Sequence, residues 1–368
     1  MPIHKGVFMA YLKFLFIGLV IFGLNNKTFA WGGRGHDSIC QAAVFLVKNP
    51  ALKDYLLNKP QMMGHLCNVP DIYWRSLPDD ARKLGDPTHF IDLEILGIKI
   101  SDVPTDYQKI VDSYTGSENK SQDGFKIFSV PKELGSVWWR ADQFQRRAIE
   151  EGKKAKSFPV PSGTKEEQND DLPYNKAFYN MIVNMGLMGH FVGDASQPFH
   201  NTTDYDGYAA NQGGIHAYYE DTVVAQFGAD LVPRIVKKAA ALKSTSFLKQ
   251  KTVVEKMRAF SELASNDIKA VLKVDPITKP SVLKIEKGMS LKTAAERQPA
   301  AVGFKRFEKF IVEEMARSSL LLAHLWDAAY LDAGEPAAKA YKSYRYPLTP
   351  EFVTPDYFST KPAENKKK

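Results

Sequence analysis

Cysteine is nearly absent: Cys40 and Cys67 are the only two in 368 residues. That is too few for a disulfide scaffold, and they lack the paired spacing of a zinc finger. In an oxidising compartment they can pair and tie the first helix to the segment before Asp71; the alternative is two buried thiols, and spacing leaves both open. Also missing are a G-x-S-x-G elbow, a phosphate-cradling G-x-x-x-x-G-K and a G-x-G-x-x-G after a strand. Their absence sets aside the commonest serine-hydrolase, P-loop and dinucleotide chemistries. There is no internal repeat, no heptad run and no convincing alternating strand.

The apolar run FLFIGLVIFGL (14–24) is too short for an ordinary transmembrane helix. It follows Lys5 and Lys13 and precedes NNKTFA, with small residues at Thr28 and Ala30. This pattern describes a secretory signal peptide, residues 1–30, cleaved after Ala30, and hence a secreted or periplasmic protein. Its removal takes away three lysines and no acid, so the formal charge falls from +7 to +4. The terminal KPAENKKK contributes a further +3. The body is close to neutral, and the high pI is weak support for nucleic acid.

About 338 residues remain, enough for one large core. DSICQAAVFLVK (37–48) reads as amphipathic helix closed by Asn49-Pro50, and NVPDIYWRSL (68–77) starts a short helix with Pro70 and Asp71 in its first turn. Helix resumes over 131–156, where Trp138 and Trp139 read as core, and again over NKAFYNMIVNMGLMGHFVGDAS (175–196). Residues 100–127 read as a polar peripheral insertion, and the lysine-rich segments after Glu220 as helices with solvated outer faces. The longest regular stretch, about 291–332, reads as a central buried helix with His324 in the core. The expected architecture is one all-α multi-helix bundle, 31–332, followed by a loosely held Pro/Lys-rich tail, 333–368.

What the chain does have is a dense run of metal-type ligands between His190 and Glu220. His190 and Asp194 are four apart on a helix and leave the same face, one turn apart. His216 and Glu220 repeat that spacing on the next apolar segment. Pro198 ends the first helix, and His200 is presented just beyond the break. Mixed imidazole and carboxylate donors suit zinc, and five ligands exceed the needs of one ion, so a cluster is expected.

These motifs, H-F-V-G-D-A-S-Q-P-F-H (190–200) and G-G-I-H-A-Y-Y-E (213–220), together with H-F-I-D (89–92), Asp71 and W-G-G-R-G-H (31–36), carry a resemblance. The chain resembles the superfamily of zinc phosphodiesterases that contains zinc-dependent phospholipase C and the fungal-type single-strand nucleases. The resemblance implies three zinc ions and no organic cofactor. Asp71, His89, His190 and Asp194 would hold the first ion, and His200, His216 and Glu220 the second. The third would take His36, a bridging Asp194, and the amine and carbonyl of Trp31, the residue that cleavage after Ala30 makes N-terminal. A water acidified by zinc would attack phosphorus in line. Asp71 is the candidate catalytic residue that orients this water or takes its proton, unless it is a ligand alone. Asp92 either touches substrate or supports a ligand histidine. Arg75 and Tyr218 are further candidates for substrate contact.

The departures divide the branches. Gly-Ile-His216 and Glu220 look like the phospholipase branch, where the nucleases usually show N-L-H and Asp; Trp74 stands where those nucleases carry a basic residue, with Arg75 one place later. Trp31 with His36, and H-F-I-D, look like the nucleases. The expected function is a zinc-dependent phosphoric diester hydrolase, with a lean to phospholipase C on glycerophospholipids and transient contact with a membrane surface. A single-strand nuclease acting on nucleic acid is the runner-up, for which Tyr205, Tyr208, Tyr218 and Tyr219 offer base-stacking rings. The non-catalytic alternative is a zinc-stabilised helical module that docks its lysine tail at an anionic surface.

Overall fold

The computed structural model describes residues 31–243, 245–286, 289–338, 342 and 350–359. The signal-peptide reading and the basic end at 360–368 lie outside these residues. Among the described residues the helices of ten residues or more are α1 (Gly32–Leu46), α2 (Pro60–Ile72), α3 (Val137–Ser157), α4 (Pro173–Ser196), α5 (Leu231–Ala240), α6 (Val253–Val274) and α7 (Ala300–Asp332). The chain is mostly helical, as the patterning implied.

α4 occupies the centre and touches α1, α2, α3, α6 and α7. Every residue from Met181 to Ser196 is buried, so this helix reads as apolar on all sides rather than along a stripe. The helix expected at the centre, α7, instead runs beside α4 with one face open. It also begins at Ala300, after Pro299, and not near Leu291.

The segment before it forms strands. β1 (Ile277–Lys279) pairs antiparallel with β4 (Glu296–Arg297), and β2 (Val282–Glu286) pairs antiparallel with β3 (Met289–Thr293). These strands escaped the sequence reading because the described side chains of the β2–β3 hairpin are exposed on both faces, so no apolar alternation marks them.

Three further boundaries differ from expectation. Pro70 and Asp71 stand in the last turn of α2, which starts at Pro60, and not in the first turn of a new helix. The helix expected over 131–156 is split: Val130–Glu133 is a single turn, and α3 starts only after Gly135. Gly135 has φ +79°, and a Cβ there would lie 2.2 Å from the Phe90 carbonyl oxygen. Residues 100–127 are no mere appendage, since Val103, Tyr107, Ile110 and Ile127 are buried in the core.

The tail is also tied down where it is described. Arg140 is fully buried in α3, among the rings of Trp74, Phe144, Phe191 and Phe352. A buried guanidinium needs acceptors, and Val353 supplies its carbonyl at 2.6 Å while Gln143 supplies Oε1 at 2.6 Å. Trp74 Nε1 donates to the Pro350 carbonyl and Arg146 pairs with Asp356. Residues 350–359 therefore strap α3 to the end of α2, because a core cation and an indole N–H require their carbonyls.

Cys40 and Cys67 form a disulfide between α1 and α2, with Cα atoms 6.4 Å apart. α4 reaches this bond through Gly189, where a Cβ would lie 2.2 Å from Cys40 Sγ and 3.1 Å from Cys67 Sγ. Gly189→Ala is expected to destabilise the protein by about 1–3 kcal/mol through overpacking, despite alanine's better helix propensity. Thermal melting of the variant against the parent checks this; a raised melting temperature would mean that α4 can shift at no cost.

Candidate metal centre

Seven elements bring the predicted ligands together. α1 carries His36, the last turn of α2 carries Asp71, and a short 3-10 turn, Asp86–His89, carries His89. α4 supplies His190 and Asp194 and ends at Ser196, after which the turn Pro198–Asn201 presents His200. His216 lies in the turn Ile215–Ala217, and Glu220 in a π-helical turn, Tyr218–Val223, a wide geometry frequent at functional sites. All eight side chains are at most 6% exposed.

They fall into three sets: His36 with His190 and Asp194; Asp71 with His89 and His190; and His200 with His216 and Glu220. Within each set the potential ligand atoms lie within 4.8 Å of one another. Asp194 faces two ways. Its Oδ2 is 3.1 Å from His89 Nδ1 and 3.3 Å from His190 Nε2, while its Oδ1 is 3.3 Å from His36 Nε2. In the third set His216 Nε2 is 2.7 Å from Glu220 Oε2 and 3.0 Å from His200 Nε2.

The hydrogen bonds behind these atoms determine what they can hold. His190 Nδ1 donates to the Cys67 carbonyl at 2.7 Å, and His200 Nδ1 donates to the His89 carbonyl at 2.7 Å. Each neutral ring thereby keeps its proton on Nδ1 and turns the Nε2 lone pair inward. That lone pair meets His89 Nδ1 at 2.9 Å in one case and His216 Nε2 in the other. Asp71 Oδ2 and Glu220 Oε1 receive no hydrogen bond. Buried acceptors converging in this way are costly unless a cation or protons lie among them, so the residues fit divalent metal ions. Burial lowers the pKa of His89, His190 and His200 well below the usual histidine range, which keeps them in the neutral, ligating form.

The carboxyls respond in the opposite direction. Burial pushes Asp71 up to about 7, against the lowering effect of Arg75, whose Nε lies 3.1 Å from Asp71 Oδ1. Burial also raises Asp194 well above the usual carboxylate range. A cation binds the deprotonated forms, so its affinity is expected to rise with pH by up to about tenfold per unit for each proton released on binding. Calorimetric titration of the metal-free protein with zinc, in buffers of different ionisation enthalpy, measures that release. Asp71→Asn should remove the step near pH 7. An affinity independent of pH between 5 and 8 would contradict the assignment.

Trp31 is placed by its indole, whose Nε1 donates to the Gly193 carbonyl at 2.9 Å and to Ser196 Oγ at 2.8 Å. Its backbone nitrogen then lies 3.2 Å from Glu220 Oε2, and its carbonyl accepts from Gly35 N in the first turn of α1. The structure thus brings Trp31 to the cluster through Glu220, while His36 meets Asp194. Gly193 allows the close approach, since a Cβ there would lie 2.7 Å from His36 Nδ1.

Above the cluster opens a cleft of about 500 Å³ with His89, His200 and His216 at its floor. Arg75 and Asp92 line it, and burial holds the Asp92 carboxyl well above its usual range. Tyr218 does not line it; its hydroxyl donates to the Gln298 carbonyl and its ring packs against Phe307. Tyr219 is buried on Glu314, Tyr208 lies under Lys292, and Tyr205 alone of the four tyrosines walls the cleft, edge-on to His216.

Sequence reasoning passed over Arg82 and Phe90, which also line the cleft. It also missed Gln197, whose Nε2 donates to Glu220 Oε2 at 2.8 Å. Phe90 sits inside the H-F-I-D motif and Gln197 inside Q-P-F-H, so motif context offered a signal for both; for Arg82 there was none.

No protein-family model matches this chain, and no curated protein matches it in sequence.

Proposed function

We propose that this chain is a metal-dependent hydrolase of phosphoric diesters, with glycerophospholipids as its first substrate class. The observation that carries the reading is Asp194, whose two oxygens face separate imidazole sets beneath one cleft. That arrangement suits several cations within reach of one substrate, and the donor types suit zinc. Cations bound there would supply Lewis-acid charge to a phosphoryl oxygen and acidify a water.

The protein's own groups have definable parts. Arg75 holds Asp71 in place and, lining the cleft, places a positive charge where a phosphate would enter. Asp71, with its acidity brought near neutrality, is suited to take a proton at Oδ2. Gln197 and His216 fix Glu220, and Tyr205 covers His216. Export with cleavage after Ala30 would turn the Trp31 nitrogen into an amine beside Glu220, a further donor for the cluster.

The lipid reading comes first because the Ile215–His216–Glu220 segment resembles the phospholipase branch. One observation favours the second reading, a single-strand nuclease: Arg75 and Arg82 share the cleft with Phe90 and Tyr205, a cation-and-ring lining that suits a phosphate beside an unstacked base.

Initial rates on phosphatidylcholine vesicles and on single-stranded DNA, each with and without chelator, test both. Chelator-sensitive release of phosphocholine is expected. DNA cleavage alone would transfer the assignment to the nuclease reading. Tight zinc binding with turnover of neither substrate would point to a non-catalytic module.

A further inference from the structure

The candidate ligand histidines are not fixed alike. His190 and His200 each donate Nδ1–H to a main-chain carbonyl at 2.7 Å, which sets the turn of the ring. His216 lacks that support. Its Nδ1 is buried and meets no hydrogen-bond acceptor among the described residues, while its Nε2 faces Glu220 Oε2 at 2.7 Å and His200 Nε2 at 3.0 Å. Tyr205 packs edge-on against the ring but is itself 46% exposed, a weak stop. A ring without an anchoring hydrogen bond of its own takes its aim from its main chain.

That main chain is gripped on both sides of His216 by Arg297, a residue of β4 that does not line the cleft. Before His216, Arg297 Nη1 donates to the Gly213 carbonyl at 3.1 Å and Nη2 donates to the Gln212 carbonyl. Gly214 follows with φ +84°, and a Cβ there would lie 3.4 Å from Arg297 Nη1, so the chain passes close against the guanidinium. After His216, the ring centroid of Tyr218 lies 5.2 Å from Arg297 Cζ, within cation–π reach, and the Tyr218 hydroxyl donates to the Gln298 carbonyl at 3.0 Å. Asp275, the residue after α6, fixes the guanidinium from behind. It forms a bidentate pair, Nε–Oδ1 2.9 Å and Nη2–Oδ2 2.9 Å, with both side chains at most 6% exposed. Ala295 N and Ser281 Oγ also bond to Gly213, at 2.9 and 2.8 Å, but on the upstream side of His216.

We propose that Arg297, locked by Asp275, is a positioning residue for the His200–His216–Glu220 set. By holding the chain before and after His216 it aims Nε2 at Glu220 and His200, and so governs how tightly this set holds a cation. The fixed fork of a guanidinium can serve two carbonyls and a carboxylate at once, which the single ammonium of a lysine does not match. Loss of a group that orients a metal ligand typically lowers metal affinity by about 10–100-fold.

The inference rests on the metal-centre reading, and its test reads metal uptake and not turnover. Zinc affinity of the metal-free protein is measured by competition with a chromophoric chelator, beside thermal melting in EDTA. R297M leaves the buried Asp275 without its partner and should melt lower than the parent. D275N/R297M removes the uncompensated charge and should recover most of that melting temperature. It should nevertheless bind one zinc equivalent about 10–100-fold less tightly than the parent and keep the others unchanged. H216A should weaken the same equivalent, and adding D275N/R297M to H216A should weaken zinc no further. Affinity that returns together with the melting temperature in D275N/R297M would make Arg297 a purely structural residue and overturn the proposal. Undiminished affinity in R297M overturns it as well, as does a further loss in the H216A background, which would place the effect at another set. A parent that takes up no zinc overturns both this inference and the metal-centre reading. Zinc affinity that follows Arg297 in a protein inactive on every diester upholds the inference and refutes only the hydrolase reading.

Discussion

On the proposed diester-hydrolase reading, Asp194→Asn is expected to lower kcat/KM by roughly 10²–10⁴ and to loosen metal in two sets at once. The carboxylate turns an oxygen to each side, 3.1–3.3 Å from His89 and His190 and 3.3 Å from His36. An amide keeps one acceptor and replaces the other with a donor, which must face either His36 or the His89–His190 pair. Removing one partner from a buried charged arrangement costs about 3–5 kcal/mol, and that energy corresponds to the stated range in rate.

The same substitution should act differently on the metal-free protein. There the buried Asp194 carboxyl is held well above its usual range because ionising it in the interior is costly, and an amide removes that cost. The variant should therefore melt lower than the parent with zinc and no lower than the parent in chelator. Melting curves and metal analysis in both conditions decide the matter. An equal loss of stability in both would show a packing defect, and full activity in the variant would remove Asp194 from the mechanism.

Cys40→Ala with Cys67→Ala is expected to cost about 3.5 kcal/mol, from the entropy of closing a 27-residue separation. The bond also bears on the site, since the Cys67 carbonyl accepts from His190 Nδ1 at 2.7 Å and so holds the ring that belongs to two of the three sets. Besides melting several degrees lower, the variant should bind zinc more weakly at the His190 sets and leave the His200–His216–Glu220 set nearly unchanged. Metal titration followed by melting tests both parts. A variant that melts with the parent would mean that packing of α1 on α2 suffices without the bond. A disulfide of this kind fits an oxidising compartment, and no described helix is long and apolar enough to cross a membrane.

The structure also changes which residues merit mutation. Tyr218, attractive from its place beside the second ligand pair, is committed to Gln298 and Phe307 and lies outside the cleft. Arg82, which no motif marks, and Phe90, inside the H-F-I-D motif, share the cleft with Arg75 and Asp92.

By itself the sequence determined whatever depends on local periodicity. The helical class, the break at Pro198 and the two pairs at i,i+4, His190 with Asp194 and His216 with Glu220, follow from helix geometry over a few residues, and they are found as read. Trp138 and Trp139 are buried for the same reason, on the inward face of α3. Tertiary structure alone decided how distant segments meet. His89 and His190 come within 2.9 Å across 101 residues, and Cys40 reaches Cys67 across 27. The β2–β3 hairpin left no alternation to detect, since burial creates that pattern and the described side chains on both faces are exposed. The tail appeared loose because its composition is polar, yet 350–359 is fixed by a need that arises elsewhere: a fully buried Arg140 must find carbonyl oxygens, and the chain returns more than 200 residues later to provide them. Local pattern encodes which face of an element is apolar; the acceptor that satisfies a buried donor is known only once both ends of the chain are in place.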